Sequence, residues 1–142
     1  AMNRVTCRLA VLFVTMLIAV STASADRFDW RKLEDKPDAW YRSDEAVRIA
    51  ENVLSFQSDA GSWPKNIDTA STPYRGDRSK LQGTYDNGAT FNEMRFLGRL
   101  YRATSDPRYL AAFRRGLENV LAAQYPSGGR RAWDSMGWCM RR

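Results

Sequence analysis

The sequence predicts an all-α protein, an incomplete α/α barrel (toroid) of helical hairpins, and three observations carry that prediction. Three segments repeat apolar residues at helical spacing. One of them opens with Asp106-Pro107, the clearest helix start in the chain. An apolar helix ending in Gln and a Gly turn occurs twice, as Val53-Leu54-Ser55-Phe56-Gln57 before Gly61-Ser62 and as Val120-Leu121-Ala122-Ala123-Gln124 before Gly128-Gly129. A hairpin of that kind cannot bury its apolar face alone, so repetition implies stacking.

Residues 1–25 read as a signal peptide: Arg4 and Arg8 at a basic start, an apolar run from Leu9 to Val20, and Ala23-Ser24-Ala25 as a cleavage site. The run is short of the about 20 apolar residues that span a bilayer. The expectation is a secreted or periplasmic chain with no membrane attachment after signal cleavage. Residues 26–43 form an N-terminal arm rich in charge and aromatics, extended or briefly helical. Residues 44–129 form the domain proper. Its first helix spans about Asp44 to Gln57, with Ser43 or Asp44 as N-cap.

Between Ser58 and Gly88 no helical or alternating pattern holds, and connections of that length are usually functional or disordered. The second helix, about Ala89 to Ala103, should bury Phe91, Phe96, Leu97, Leu100 and Tyr101. The third carries Tyr109, Leu110, Phe113, Leu117, Val120 and Leu121 at helical spacing. From Arg130 to Arg142 the composition changes to a basic tail without period. Three helices are too few to close a barrel, so some apolar faces should lack partners, giving a monomer or an aggregation-prone chain.

The formal charge of +6 is concentrated in the leader and the tail, and residues 26–129 are close to neutral. That excludes nucleic-acid binding through a basic face. The sequence has no histidine, which excludes Ser-His-Asp and Cys-His catalysis and histidine zinc sites. Cys7 departs with the leader and Cys139 stands alone, so no internal disulfide forms in the mature chain.

Two clusters carry candidate chemistry. Asp86-Asn87-Gly88-Ala89-Thr90 puts a carboxylate, an amide and a hydroxyl at the start of the second helix, where backbone N–H groups and the dipole favour anions. On those residues alone a turn or cap precedes a function. Gly61-Ser62-Trp63-Pro64-Lys65-Asn66 presents an indole, an ammonium and an amide together. Taken singly, Trp63 reads as core and Lys65 as solvated; their adjacency points to a sugar-acid site. Arg95, Arg99 and Arg102 recur on one helix face, either a carboxylate-binding stripe or, as favoured here, its wet side. Asp86 with Glu93 as a glycosidase pair finds no support in the spacing.

Trp63-Pro64-Lys65-Asn66, the run from Tyr85 to Tyr101, and Leu121 to Gly129 together resemble the N-terminal part of the family 10 polysaccharide lyases, the pectate lyases. The resemblance implies an α/α barrel and cleavage of polygalacturonate (pectate) by calcium-dependent β-elimination. A base takes the C5 proton beside the uronate carboxylate and the C4 oxygen leaves. It implies Asp86 as the essential aspartate and calcium ligand, with Trp63, Lys65, Asn66, Asn87 and Thr90 contacting substrate. After Gly129 the likeness stops, and the family's base arginine has no counterpart in the chain. The expectation is a truncated, inactive lyase fragment, with a non-catalytic exported module binding acidic polysaccharide as the alternative.

Overall fold

Ser43 opens the first long helix: its hydroxyl accepts the Ala46 N–H at 3.2 Å, and Asp44 and Glu45 in the first turn complement the dipole. The computed structural model describes residues 28–124, so the leader, the stretch from Tyr125 to Gly129 and the basic tail lie outside the described residues. Within them the helices are α1 (Arg31–Glu34), α2 (Asp44–Ser55), α3 (Phe91–Thr104) and α4 (Pro107–Ala122), with 3₁₀ turns at Trp40–Arg42, Arg78–Lys80 and Asp86–Gly88. Among the described residues no helix is long and apolar enough to cross a membrane.

Helix α2 stops at Ser55, short of Gln57, because the N–H groups of Phe56 and Gln57 turn to the carbonyls of Val53 and Leu54 in a tighter final turn. Helix α3 starts at Phe91, two residues later than the apolar pattern suggests. Gly88 and Thr90 both have positive φ, 79° and 69°, outside helical space. Left-handed Ser105 ends α3, its N–H bonding to the Tyr101 carbonyl at 2.8 Å. Asp106 then caps α4 by accepting the Arg108 N–H at 2.9 Å, with Pro107 in the first turn. The two-residue connection makes α3 and α4 an antiparallel hairpin. Gly116 sets their approach, since a Cβ there would lie 2.9 Å from Met94 Cγ and 3.1 Å from Trp63 Cζ3.

The core gathers Tyr41, Ile49, Val53, Trp63, Met94, Phe96, Leu97, Leu100, Tyr109 and Val120. Phe91 and Tyr101, expected inside, are only partly buried, while Glu93 and Met94 are buried instead. Leu117 and Leu121 are 39% and 55% exposed, because α4 packs one face on α3 and no described element covers the other. The all-α architecture with unpaired apolar residues on α4 is that of an incomplete α/α barrel.

The arginine stripe on α3 is a clasp for the arm. Arg95 pairs with Glu34 at 3.2 Å, Arg102 with Asp38 at 2.6 Å, and Arg99 donates to the Glu34 carbonyl at 2.7 Å and the Tyr41 hydroxyl at 3.0 Å. Exposed pairs contribute little individually. The arm is anchored mainly by buried Leu33 and Tyr41 and by Trp30, whose ring lies 5.7 Å from that of Phe96.

The long connection before α3 is pinned to α2. Asn52 Nδ2 donates to the Ala70 carbonyl at 2.7 Å, Ser55 Oγ accepts the Tyr74 N–H at 2.7 Å, and the Tyr74 ring packs 5.3 Å from Phe56. Gln57, fully buried, donates from Nε2 to the carbonyls of Gly61 and Ala112, both at 2.8 Å. The Gln of the first repeat thus ties the end of α2 to α4. Gln124 in the second copy is exposed, and its Gly pair lies outside the described residues. Gln57→Leu should therefore destabilise the chain by about 2 kcal/mol in urea unfolding, whereas Gln124→Leu should stay within roughly 0.5 kcal/mol.

Candidate active site

One hydroxyl joins the two loops on which the candidate residues stand. Thr90 Oγ1 accepts the Trp63 N–H at 2.9 Å and donates to the Thr84 carbonyl at 2.8 Å, while the Thr84 N–H bonds to the Trp63 carbonyl at 3.0 Å. A β-branched residue at φ 69° is strained. Its two hydrogen bonds hold it there. Two residues beyond each stitched position, the chains bring Lys65 Nζ to 2.6 Å from Asp86 Oδ2. Asn66 and Asn87 follow these residues, both left-handed at φ 62° and 54°, a conformation that asparagine tolerates better than most side chains.

The Asp86 carboxyl is held below the usual carboxylate range by the Lys65 hydrogen bond first and the Lys65 charge second, with the Asn87 N–H adding to Oδ1 at 2.9 Å. It is ionised and half exposed. Behind it, the Tyr85 hydroxyl donates to the Asn119 carbonyl at 3.0 Å, tying this loop to α4.

A cleft of about 280 Å³ opens beside the pair, walled by Phe28, Trp30 and Arg31 of the arm on one side and by Pro64, Lys65 and Asn66 on the other, with Asn87, Asn92 and Glu93 completing it. A second, more open groove of about 350 Å³ runs along Pro64 to Ile67 and Lys80 to Gln82. Lys65 and Asn66 belong to both.

The structure therefore brings Lys65, Asn66, Asp86 and Asn87 together and withdraws two residues from the expected set. Trp63 is fully buried and donates its indole N–H to the Val53 carbonyl at 2.7 Å, so it has no face to offer a sugar. Thr90 is also fully buried, with its hydroxyl spent on the two loops. Both are scaffold residues. The arm's contribution to the cleft was not foreseen, because its place beside the lysine loop depends on contacts with α3 more than 60 positions away.

Glu93, set aside in the sequence as half of an unsupported carboxylate pair, also lines the cleft. It is 3% exposed, accepts the Thr69 hydroxyl on Oε1 at 2.9 Å, and leaves Oε2 without a hydrogen bond. Burial pushes its carboxyl up to about 7, against the weaker opposing pull of its own N–H, the Thr69 hydroxyl and the Thr90 N–H. The available signal was Thr90-x-x-Glu93, a capping-box pattern. Half of that box is broken here, since Thr90 Oγ1 serves the loops and makes no cap bond.

Calcium takes six to eight oxygen ligands. Among the described residues no group of three or more acidic, histidine or cysteine side chains gathers to hold a metal. Asp86 offers one carboxylate, already bonded to Lys65 and to the Asn87 N–H. These residues do not by themselves make a calcium site.

With its cleft at the N-terminal end of α3, the chain is similar in structure to a polysaccharide lyase of family 10 from Cellvibrio cellulosa, with a TM-score of 0.56 and 33% identity over 68% of this chain and 29% of that one. A mutant of the family 10 lyase from the same organism, solved in complex with trigalacturonic acid, matches with a TM-score of 0.56 and 29% identity over 76% of this chain and 34% of that one. The likeness is to one part of a family 10 polysaccharide lyase, and this chain spans about a third of the length of the solved relatives. Residues 57–134 match the profile of the pectic acid lyases, and the chain belongs to that family. No curated protein matches it.

Two outcomes follow for stability. Thr90→Val keeps the shape but removes the bridging hydroxyl, and urea unfolding should show a loss of roughly 2–3 kcal/mol, with Thr90→Ser recovering most of it. For Glu93, a carboxyl raised from 4.5 to about 7 binds its proton more tightly folded than unfolded. Its stabilising contribution is full below the unfolded value and is lost as pH rises through about 7. Thermal unfolding between those limits should reveal a decline on the order of 3 kcal/mol that Glu93→Gln flattens.

Proposed function

We propose that this chain is the substrate-contacting N-terminal part of a pectate lyase acting on polygalacturonate, exported by the leader read in residues 1–25. The observation that carries the reading is the Lys65–Asp86 pair, 2.6 Å apart and exposed at the cleft, flanked by the left-handed Asn66 and Asn87. An exposed ion pair is weak and exchangeable. A uronate carboxylate entering the cleft competes with Asp86 for the Lys65 ammonium, while the two amides supply donors to ring and carboxylate oxygens. Membership of the pectic acid lyase family and the likeness to a lyase solved with trigalacturonic acid support an acidic sugar as the ligand.

Calcium belongs to this reading as a partner that Asp86 would share with the bound uronate, the described residues contributing one carboxylate. When bound, it would neutralise the uronate and make the neighbouring C–H a stronger acid.

A second reading, binding without cleavage, has its own support. The two cations of the cleft already hold carboxylates, Lys65 that of Asp86 and Arg31 that of Asp29 at 2.9 Å. Neither is an unencumbered base for the C5 proton.

Incubation of the chain with polygalacturonate and calcium, followed by ultraviolet absorbance of the unsaturated uronate, separates the readings. Chelator-sensitive absorbance marks a lyase. Saturable trigalacturonate binding by calorimetry without absorbance marks a binding module, and absence of both overturns the assignment of the cleft. In either supported case Lys65→Ala should weaken trigalacturonate binding about tenfold or more, as expected for losing a hydrogen bond to a charged group. Binding should also weaken with added salt. Asp86→Ala should abolish any calcium-dependent component while leaving helical circular dichroism unchanged.

A further inference from the structure

Glu93 is the buried ionisable side chain of the cleft lining, and Oε2 of Glu93 is the buried side-chain oxygen or nitrogen left without a hydrogen bond among the described residues. An unpartnered buried carboxyl oxygen carries a desolvation penalty, so its retention needs a reason. The glutamate half of a capping box supplies part of one, through the pull of the Thr90 N–H on the carboxyl, but the reciprocal threonine bond is absent and Oε1 already accepts from Thr69. What the arrangement does provide is a pre-set polar group on a residue that lines the cleft: α3 fixes its backbone in the first helical turn, Thr69 holds Oε1, and Oε2, shielded from solvent, is left over.

We propose that Glu93 is a further substrate-contacting residue, its Oε2 hydrogen-bonding a hydroxyl of the sugar ring whose carboxylate is taken by Lys65. The inference rests on the reading of the cleft as a uronate site. A sugar hydroxyl both donates and accepts, so it satisfies the glutamic acid or the glutamate, and a carboxyl poised near neutrality loses little in either state. A second anion would be repelled by the ionised form, which makes a hydroxyl the fitting partner. The other charged groups lining the cleft are Asp29, Arg31 and Glu34 from the arm and Lys65 from the loop. Arg31 already holds Asp29 and Lys65 already holds Asp86, and Glu93 makes no ion pair among the described residues.

The test titrates trigalacturonate into the full chain by calorimetry, comparing wild type with Glu93→Gln, Glu93→Leu and Lys65→Ala. Glu93→Gln retains a donor and an acceptor and should bind within about threefold of wild type; Glu93→Leu should bind at least about tenfold more weakly. Carbon-13 spectra of the wild-type glutamate carboxyls, with the Glu93 signal assigned by its loss in Glu93→Gln, should show that signal and its titration midpoint moving on saturation. A folded Glu93→Leu that binds like wild type while Lys65→Ala is weakened overturns the role of Glu93 and leaves the cleft assignment standing. Should Glu93→Leu not fold, an unmoved Glu93 signal in saturated wild type overturns it equally. Failure of wild type to bind at all overturns both.

Discussion

The hydroxyl of Thr90 is the interaction on which the rest of the site depends. It bonds to Trp63, 27 positions earlier in the sequence, and to Thr84, six positions earlier, and so closes two loops against the start of α3. The polar groups that the two loops bring to the cleft follow from that closure: Lys65 meets Asp86, and Asn66 and Asn87 follow them. The strained φ of Thr90 is the local cost, and it is sustained because the hydroxyl is fully buried, where hydrogen bonds are not diluted by water.

The same closure decides what becomes of Trp63. With its backbone tied to Thr90 and Thr84, its indole has one place to go, between α2 and the α3–α4 hairpin, where Gly116 leaves room for it and Val53 accepts its N–H. The tryptophan therefore contributes to the site by fixing the loop that carries Lys65. The lysine and the asparagine line the cleft at the far side of Pro64, and the aromatic surface of the cleft comes from Phe28 and Trp30 of the arm.

The arm adds exposed polar contacts to its buried anchors Leu33 and Tyr41. Three arginines of α3 reach carboxylates and carbonyls of residues 33–38, and each contact is exposed and weak by itself. Their spacing along one helix face makes them act in register on one segment. The stripe that looked like a wet face thus helps hold the arm that forms one wall of the cleft, with Arg31 on that wall and Lys65 on the other.

Helix positions were legible in the sequence because their determinants are local. Ser43 and Asp106 cap, Pro107 starts α4, and the apolar spacing of α2, α3 and α4 emerges with ends displaced by one or two residues. The motifs Trp63 to Asn66 and Tyr85 to Tyr101 also carried the family, which residues 57–134 show. What the sequence could not divide was each motif into scaffold and surface. Lys65, Asn66 and Asn87 line the cleft with Asp86 paired to Lys65 beside it, Trp63 and Thr90 lie inside, and Glu93, read as part of an unsupported carboxylate pair, is a buried member of the lining. That division depends on hydrogen bonds between residues far apart in the chain and on which apolar faces find partners. Leu117 and Leu121 make the same point, helical in spacing yet exposed, because burial is a property of neighbours and not of pattern.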